Sequence, residues 1–106
     1  MDKKINRIVT DYKQRLEDLG IKVKRIILYG SHAVNKNNGD SDIDIAVISD
    51  SFKGMDTWER LVLLGGARMG INEPMEILGF TEKEFKEESA GSFIGDEIKA
   101  KGISVI

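Results

Sequence analysis

Ser41-Asp42-Ile43-Asp44-Ile45-Ala46-Val47 alternates polar and aliphatic side chains before closing on an apolar pair. Side chains along a strand point to opposite faces in turn, so Asp42 and Asp44 share one face and Ile43, Ile45 and Val47 share the other. The aliphatic face reads as core, and a strand is expected from Ile43 to Ile48. Upstream, Val23 to Tyr29 ends in the apolar run Ile26-Ile27-Leu28-Tyr29, stops at Gly30 and reads as a buried strand. Gly30-Ser31 ends it, and Ser31 can cap a short helix starting at His32. Between the two strands, Asn35-Lys36-Asn37-Asn38-Gly39-Asp40 is dense in turn formers and reads as a loop.

Further out, Ile5, Ile8, Val9, Tyr12, Leu16 and Leu19 recur at helical spacing and predict a helix over residues 3–19, with Asp2 as a cap and Gly20 as its stop. Downstream, Asp56-Thr57-Trp58-Glu59 has the spacing of a capping box. A helix continues through Trp58, Leu61 and Val62 to about Met69, loosened at Gly65-Gly66. Trp58 reads as a core or interface residue. The only proline, Pro74, opens a third strand, Met75 to Leu78. Thr81-Glu82-Lys83-Glu84 is a second capping box, a weak helix covers Phe93 to Ala100, and Ile103 to Ile106 can add an edge strand. The link between the second and third strands contains a helix and suits a parallel crossover, whereas the link between the first two is short. The expected fold class is therefore α/β (α+β), a small mixed sheet flanked by helices, as one domain over residues 1–106.

The 106 residues allow one modest core. The absence of cysteine excludes disulfides, thiol nucleophiles and cysteine-based metal sites, and the single histidine, His32, excludes a multi-histidine site. No apolar run approaches the roughly 18–20 residues that span a bilayer. Met1 to Val9 lacks the apolar stretch of a signal peptide, so a cytoplasmic protein without membrane contact is expected. Net charge is −2, but it is unevenly spread: residues 1–39 carry +5 and residues 40–106 carry −7. The acidic part offers no basic track for a nucleic-acid strand.

Asp42 and Asp44 lie about 7 Å apart along their strand and repel each other unless something neutralises them. A hard divalent cation, usually Mg²⁺, is the obvious neutraliser, and two ions can be bridged. Two solvated acids on an exposed face remain the simpler alternative. A calcium loop over Asp40, Asp42 and Asp44 is disfavoured, because Ile45 and Ser51 stand where it needs Gly and Glu. At Gly30-Ser31, glycine lets the backbone approach a ligand, and the following N–H groups and the Ser31 hydroxyl favour a phosphate. The turn is not a P-loop. Together, a phosphate cradle and a carboxylate pair are what nucleotidyl transfer from a nucleoside triphosphate needs.

Gly30-Ser31, ten residues, then Asp42-Ile43-Asp44 resembles the Gly-Ser…Asp-x-Asp signature of the DNA polymerase β-like nucleotidyltransferases. The chain looks most like their minimal members, including the antitoxin half of HEPN–MNT toxin–antitoxin pairs, and the order of elements agrees over nearly its whole length. The resemblance implies a third carboxylate from the next strand, Glu76, with Glu73 the weaker choice because it precedes Pro74. It thus implies Asp42, Asp44 and Glu76 as catalytic metal ligands and Gly30, Ser31, Lys36 and Ser41 as nucleotide contacts. Mg²⁺ and ATP or another NTP would be required, with NMP passing to a hydroxyl, by the same resemblance a tyrosine of a HEPN-type partner. Many relatives carry a basic residue and a glycine where this chain has Val34 and Asn35, leaving Lys36 as the nearest cation. His32 is read as a surface residue near the phosphates and Tyr29 as packing. An acceptor-holding domain does not fit in the chain, so the acceptor is expected from another protein. A non-catalytic module neutralising a helical partner, an aminoglycoside-type transferase completed by a second chain, and a homo-oligomer stay open.

Overall fold

The computed structural model describes residues 3–33, 42–87 and 92–106. Strand β1 is Arg25–Tyr29, β2 is Ile43–Ile48, β3 is Met75–Phe80 and β4 is Ile103–Ser104. They form one mixed sheet in the order β3-β2-β1-β4. β1 runs antiparallel to β2 and β4, and β2 runs parallel to β3. Helix α2, Thr57–Arg68, lies in the crossover between β2 and β3, as parallel pairing requires. The expected strand β2 matches to the residue. β3 runs past Leu78 to Phe80 because its pairing continues to Ile48, and Ser49 N then donates to Phe80 O at 2.9 Å.

Period-two alternation divides the sheet between two cores. Ile26, Leu28, Ile43, Ile45, Val47 and Ile77 face helix α1, Lys3–Asp18, and α2. There Ile5, Val9, Tyr12 and Leu16 of α1 meet Leu64 and Ala67 of α2. The Tyr12 hydroxyl donates to Leu64 O at 2.7 Å, tying the two helices together across the core. On the opposite face Ile27, Tyr29, Ala46 and Ile48 pack with Phe85 and Ile98. Phe85 comes from helix α3, Glu82–Glu87, and Ile98 from a π-helical turn, Ile94–Lys99. That turn stands where the weak helix was expected, and its Ala100 N donates to Gly95 O at 3.1 Å.

Both capping boxes form. Asp56 accepts from Glu59 N at 2.8 Å, and Thr81 Oγ1 accepts from Glu84 N at 3.2 Å. α2 runs unbroken through Gly65-Gly66, and α1 ends one residue before Leu19. The proposed cap Asp2 lies outside the described residues. Trp58, Leu61, Val62, Met69 and Leu19 are exposed, which corrects the reading of Trp58 as core and of Leu19 as part of the packed stripe. No helix among the described residues is long and apolar enough to cross a membrane.

Arg60 joins four pieces of the fold. Its guanidinium donates to Phe52 O at 3.1 Å, Gly79 O at 3.2 Å and both carboxylate oxygens of Glu84, at 2.6 and 3.0 Å. The pairing holds the Glu84 carboxyl down to about 2. Arg60→Ala should destabilise the protein by about 1–2 kcal/mol, since it removes the Glu84 ion pair and a donor to each of the Met55, Phe52 and Gly79 carbonyls. Urea unfolding monitored by circular dichroism measures this.

Candidate active site

The sheet register puts three side chains in a row. Tyr29 pairs with Asp44 across the antiparallel β1–β2 ladder, and Asp44 pairs with Glu76 across the parallel β2–β3 ladder. Directly opposed residues share a face, so Tyr29, Asp44 and Glu76 stand side by side on the second face of the sheet. Burial falls along the row: Tyr29 is buried, Asp44 half-buried and Glu76 exposed. Along β2 the same face reads Ile48, Ala46, Asp44 and then the exposed Asp42, so the site begins where the apolar core stops.

Gly30 closes against this row. It adopts φ +73°, a conformation that disfavours a side chain, and a Cβ there would collide with Asp44 Oδ2 and lie 3.2 Å from Asp44 Cγ. Gly30–His32 forms a single 3₁₀ turn, closed by Ala33 N donating to Gly30 O at 3.1 Å. This corrects the expected helix: the turn starts at Gly30 and has no side-chain cap, because the positive φ of Gly30 already reverses the chain. A three-residue turn has no useful dipole. What it brings to the site is the close backbone approach at Gly30 and the neighbouring Ser31.

The electrostatics centre on Asp44. Partial burial, the adjacent Glu76 carboxylate, a hydrogen bond shared with Glu76 and the more distant Asp42 all favour its protonated form, while His32 opposes them. Its carboxyl is pushed up to about 6. The Tyr29 phenol is held well above its usual range by burial and by the Glu76 and Asp44 charges. Its oxygen is buried without a hydrogen-bond partner. Its ring meets Phe93 edge-on with centroids 6.0 Å apart. The packing role read for Tyr29 is therefore real, but its hydroxyl belongs to the electrostatics of the acid row. The signal in the sequence was the short β1–β2 link, which sets the residue before Gly30 opposite the Asp-x-Asp strand.

Of the other expected site residues, Lys36 and Ser41 lie outside the described residues, as do Val34 and Asn35. Glu73 precedes β3 and lies 4.0 Å from the Lys4 amine, away from the row. Among the described residues no three acids or histidines converge closely enough to make a ready cation cage. Asp44 and Glu76 are in contact, and Asp42 acts on Asp44 from two residues away. Two adjacent carboxylates, with Asp44 held towards its protonated form by Glu76, are a donor set that a hard cation would relieve, so the pair fits such an ion.

This sheet, with a glycine turn pressed on a carboxylate pair, is the architecture of a nucleotidyl-transferring domain. The family profile described as "Nucleotidyltransferase domain" matches residues 5–103, and the chain belongs to that family. No curated protein sequence matches it significantly. Among solved structures, the crystal structure of a Sulfolobus solfataricus protein, provisionally described as a nucleotidyltransferase, superposes with a TM-score of 0.70 at 15% identity. The match covers 95% of this chain and 78% of that one, and shows that the two share the fold.

Two outcomes follow. Gly30→Ala should displace Asp44 and lower thermal stability, with a cost of about 1–3 kcal/mol expected for a side chain forced into this backbone region; calorimetry measures it. The Asp44 carboxyl is pushed up to about 6 from an ordinary 3.8, so the metal-free protein binds more protons folded than unfolded between those values. Its stability should therefore fall as pH rises through that window, and Asp44→Asn should flatten the dependence. Melting curves in chelator across this range check the sign.

Proposed function

We propose that the protein is a Mg²⁺-dependent nucleotidyltransferase that moves NMP, with AMP the first candidate, from NTP to a hydroxyl on a partner protein. The observation that carries this is the in-register Asp44–Glu76 pair with Gly30 pressed against it, in a chain of the nucleotidyltransferase-domain family. Asp44 and Glu76 would hold the cation, with Asp42 as the third ligand once the ion draws the acids together. Bound there, Mg²⁺ would neutralise the triphosphate and the charge that develops during transfer. The chain's own residues orient the reactants. Gly30 lets the backbone of the turn close directly on Asp44, and Ser31, with Lys36 and Ser41 from the segment between β1 and β2, would contact the phosphates. The acceptor oxygen forms a bond to the α-phosphorus. The bond from that phosphorus to the β-phosphate's bridging oxygen breaks, pyrophosphate leaves, and the hydroxyl proton passes to the carboxylate row.

The described residues are taken up by one sheet and its covering helices, which supports an acceptor carried by a separate molecule. By its resemblance to minimal nucleotidyltransferases, that molecule is a HEPN-type toxin, the acceptor its tyrosine, and this chain its antitoxin in the cytoplasm.

The test is incubation of the chain with α-labelled ATP, Mg²⁺ and a HEPN-type protein, sought first in the adjacent reading frame. Label should move to the partner, fall at least about a hundredfold with Asp42→Asn plus Asp44→Asn, and fall comparably with Glu76→Gln. No transfer, or transfer indifferent to these substitutions, refutes the reading. If the double variant still silences the partner, binding alone is the function.

A further inference from the structure

α2 is apolar on two opposite faces. Leu64 and Ala67 are buried against α1 and the sheet, whereas Trp58, Leu61, Val62 and Met69 are 73%, 48%, 55% and 75% exposed. Leu19, 55% exposed at the end of α1, extends the second face. A groove of about 590 Å³ runs along it, lined by Leu19, Met55, Trp58, Val62, Leu63 and Gly66. At 100° per residue, positions 58, 61, 62, 65 and 69 fall in one stripe about 100° wide. A helix that is apolar all round is normally a buried one.

Gly65 sits in the middle of this face and Gly66 just beyond its edge. Glycine inside a helix costs about 1 kcal/mol relative to alanine. Neither Gly65 nor Gly66 has a left-handed φ, and a Cβ on either would meet nothing within 4 Å. The isolated chain therefore gives no reason for glycine at these positions, whereas close approach of another helix does.

We propose that this face pairs with a second copy of the chain, α2 crossing the partner's α2 antiparallel about a two-fold axis near residues 63–64. The stripe is complementary to its own reverse. About that axis Trp58 meets the partner's Met69, while Val62 lies over the partner's Gly65, a large side chain against bare backbone. Each flanking charge, Glu59 or Arg68, sits about 13 Å along the axis from its own copy, so like charges do not meet. The five exposed side chains offer ~600 Å² per protomer at ordinary side-chain areas. One protomer's share is half of what a stable interface needs, and the doubled area, about 1,200 Å², reaches the lower end of that range. The face lies on the far side of the sheet from Asp44 and Glu76, so pairing leaves the acid row open.

Sedimentation equilibrium of the full chain over about a hundredfold concentration range tests this. The wild type should reach twice its 11.8 kDa mass. Leu61→Glu plus Val62→Glu should weaken the dimer at least tenfold with an unchanged circular dichroism spectrum. Gly65→Leu is the second variant: the protomer has room for its side chain, and the dimer does not. A wild type that stays monomeric overturns the proposal, as does a dimer insensitive to both variants. A monomer that instead takes a helix of a different protein on these residues overturns the self-pairing. The measurement involves no nucleotide, so its failure is separate from failure of the transferase reading.

Discussion

The parallel pairing of β2 with β3 sets Asp44 directly beside Glu76, two like charges at adjacent positions of a half-buried sheet face. Everything near the site is arranged around that repulsion. Gly30 gives up its side chain so that Asp44 fits, and Tyr29 brings a neutral phenol to the buried end of the row. The register cannot relax by one residue, because period-two alternation would carry Ile43, Ile45 and Val47 out of the main core. Hydrophobic packing on one face thus enforces an electrostatically costly arrangement on the other.

Much of this was legible because strand periodicity is a local property. Asp42, Ile43, Asp44 and Ile45 announce their faces from sequence alone, and β2 needed no correction. Glu76 could be named as an acid between Met75 and Ile77, but its register against Asp44 is a long-range property and had to come from the structure. Ser31 misled because a hydroxyl after glycine looks like a cap; the positive φ of Gly30 had already turned the chain. Met75 to Leu78 was read too short because Gly79 looks like a strand end, whereas it continues the ladder opposite Val47.

α2 shows a different limit. Its period says helix without ambiguity, but periodicity selects the core face only when one face is polar. Here Leu64 and Ala67 compete with Trp58, Val62 and Met69, and packing against Tyr12 and Leu16 decides between them. Trp58, which the sequence reads as core or interface, is left outside. The same helix is the crossover that makes β2 and β3 parallel, so a surface for association and the register of the acid row depend on one element with opposite outlooks.

The outer strand β4 is only two residues long, yet it pairs with β1 across most of the chain: Ile27 lies opposite Ser104. The β1–β2 and β2–β3 ladders join segments close in sequence and can form as soon as those segments exist. β1, by contrast, relies on residues 103–104 to cover its outer hydrogen-bonding edge, so any opening of β4 bares Arg25–Tyr29 and makes that strand the place in this sheet most exposed to mispairing.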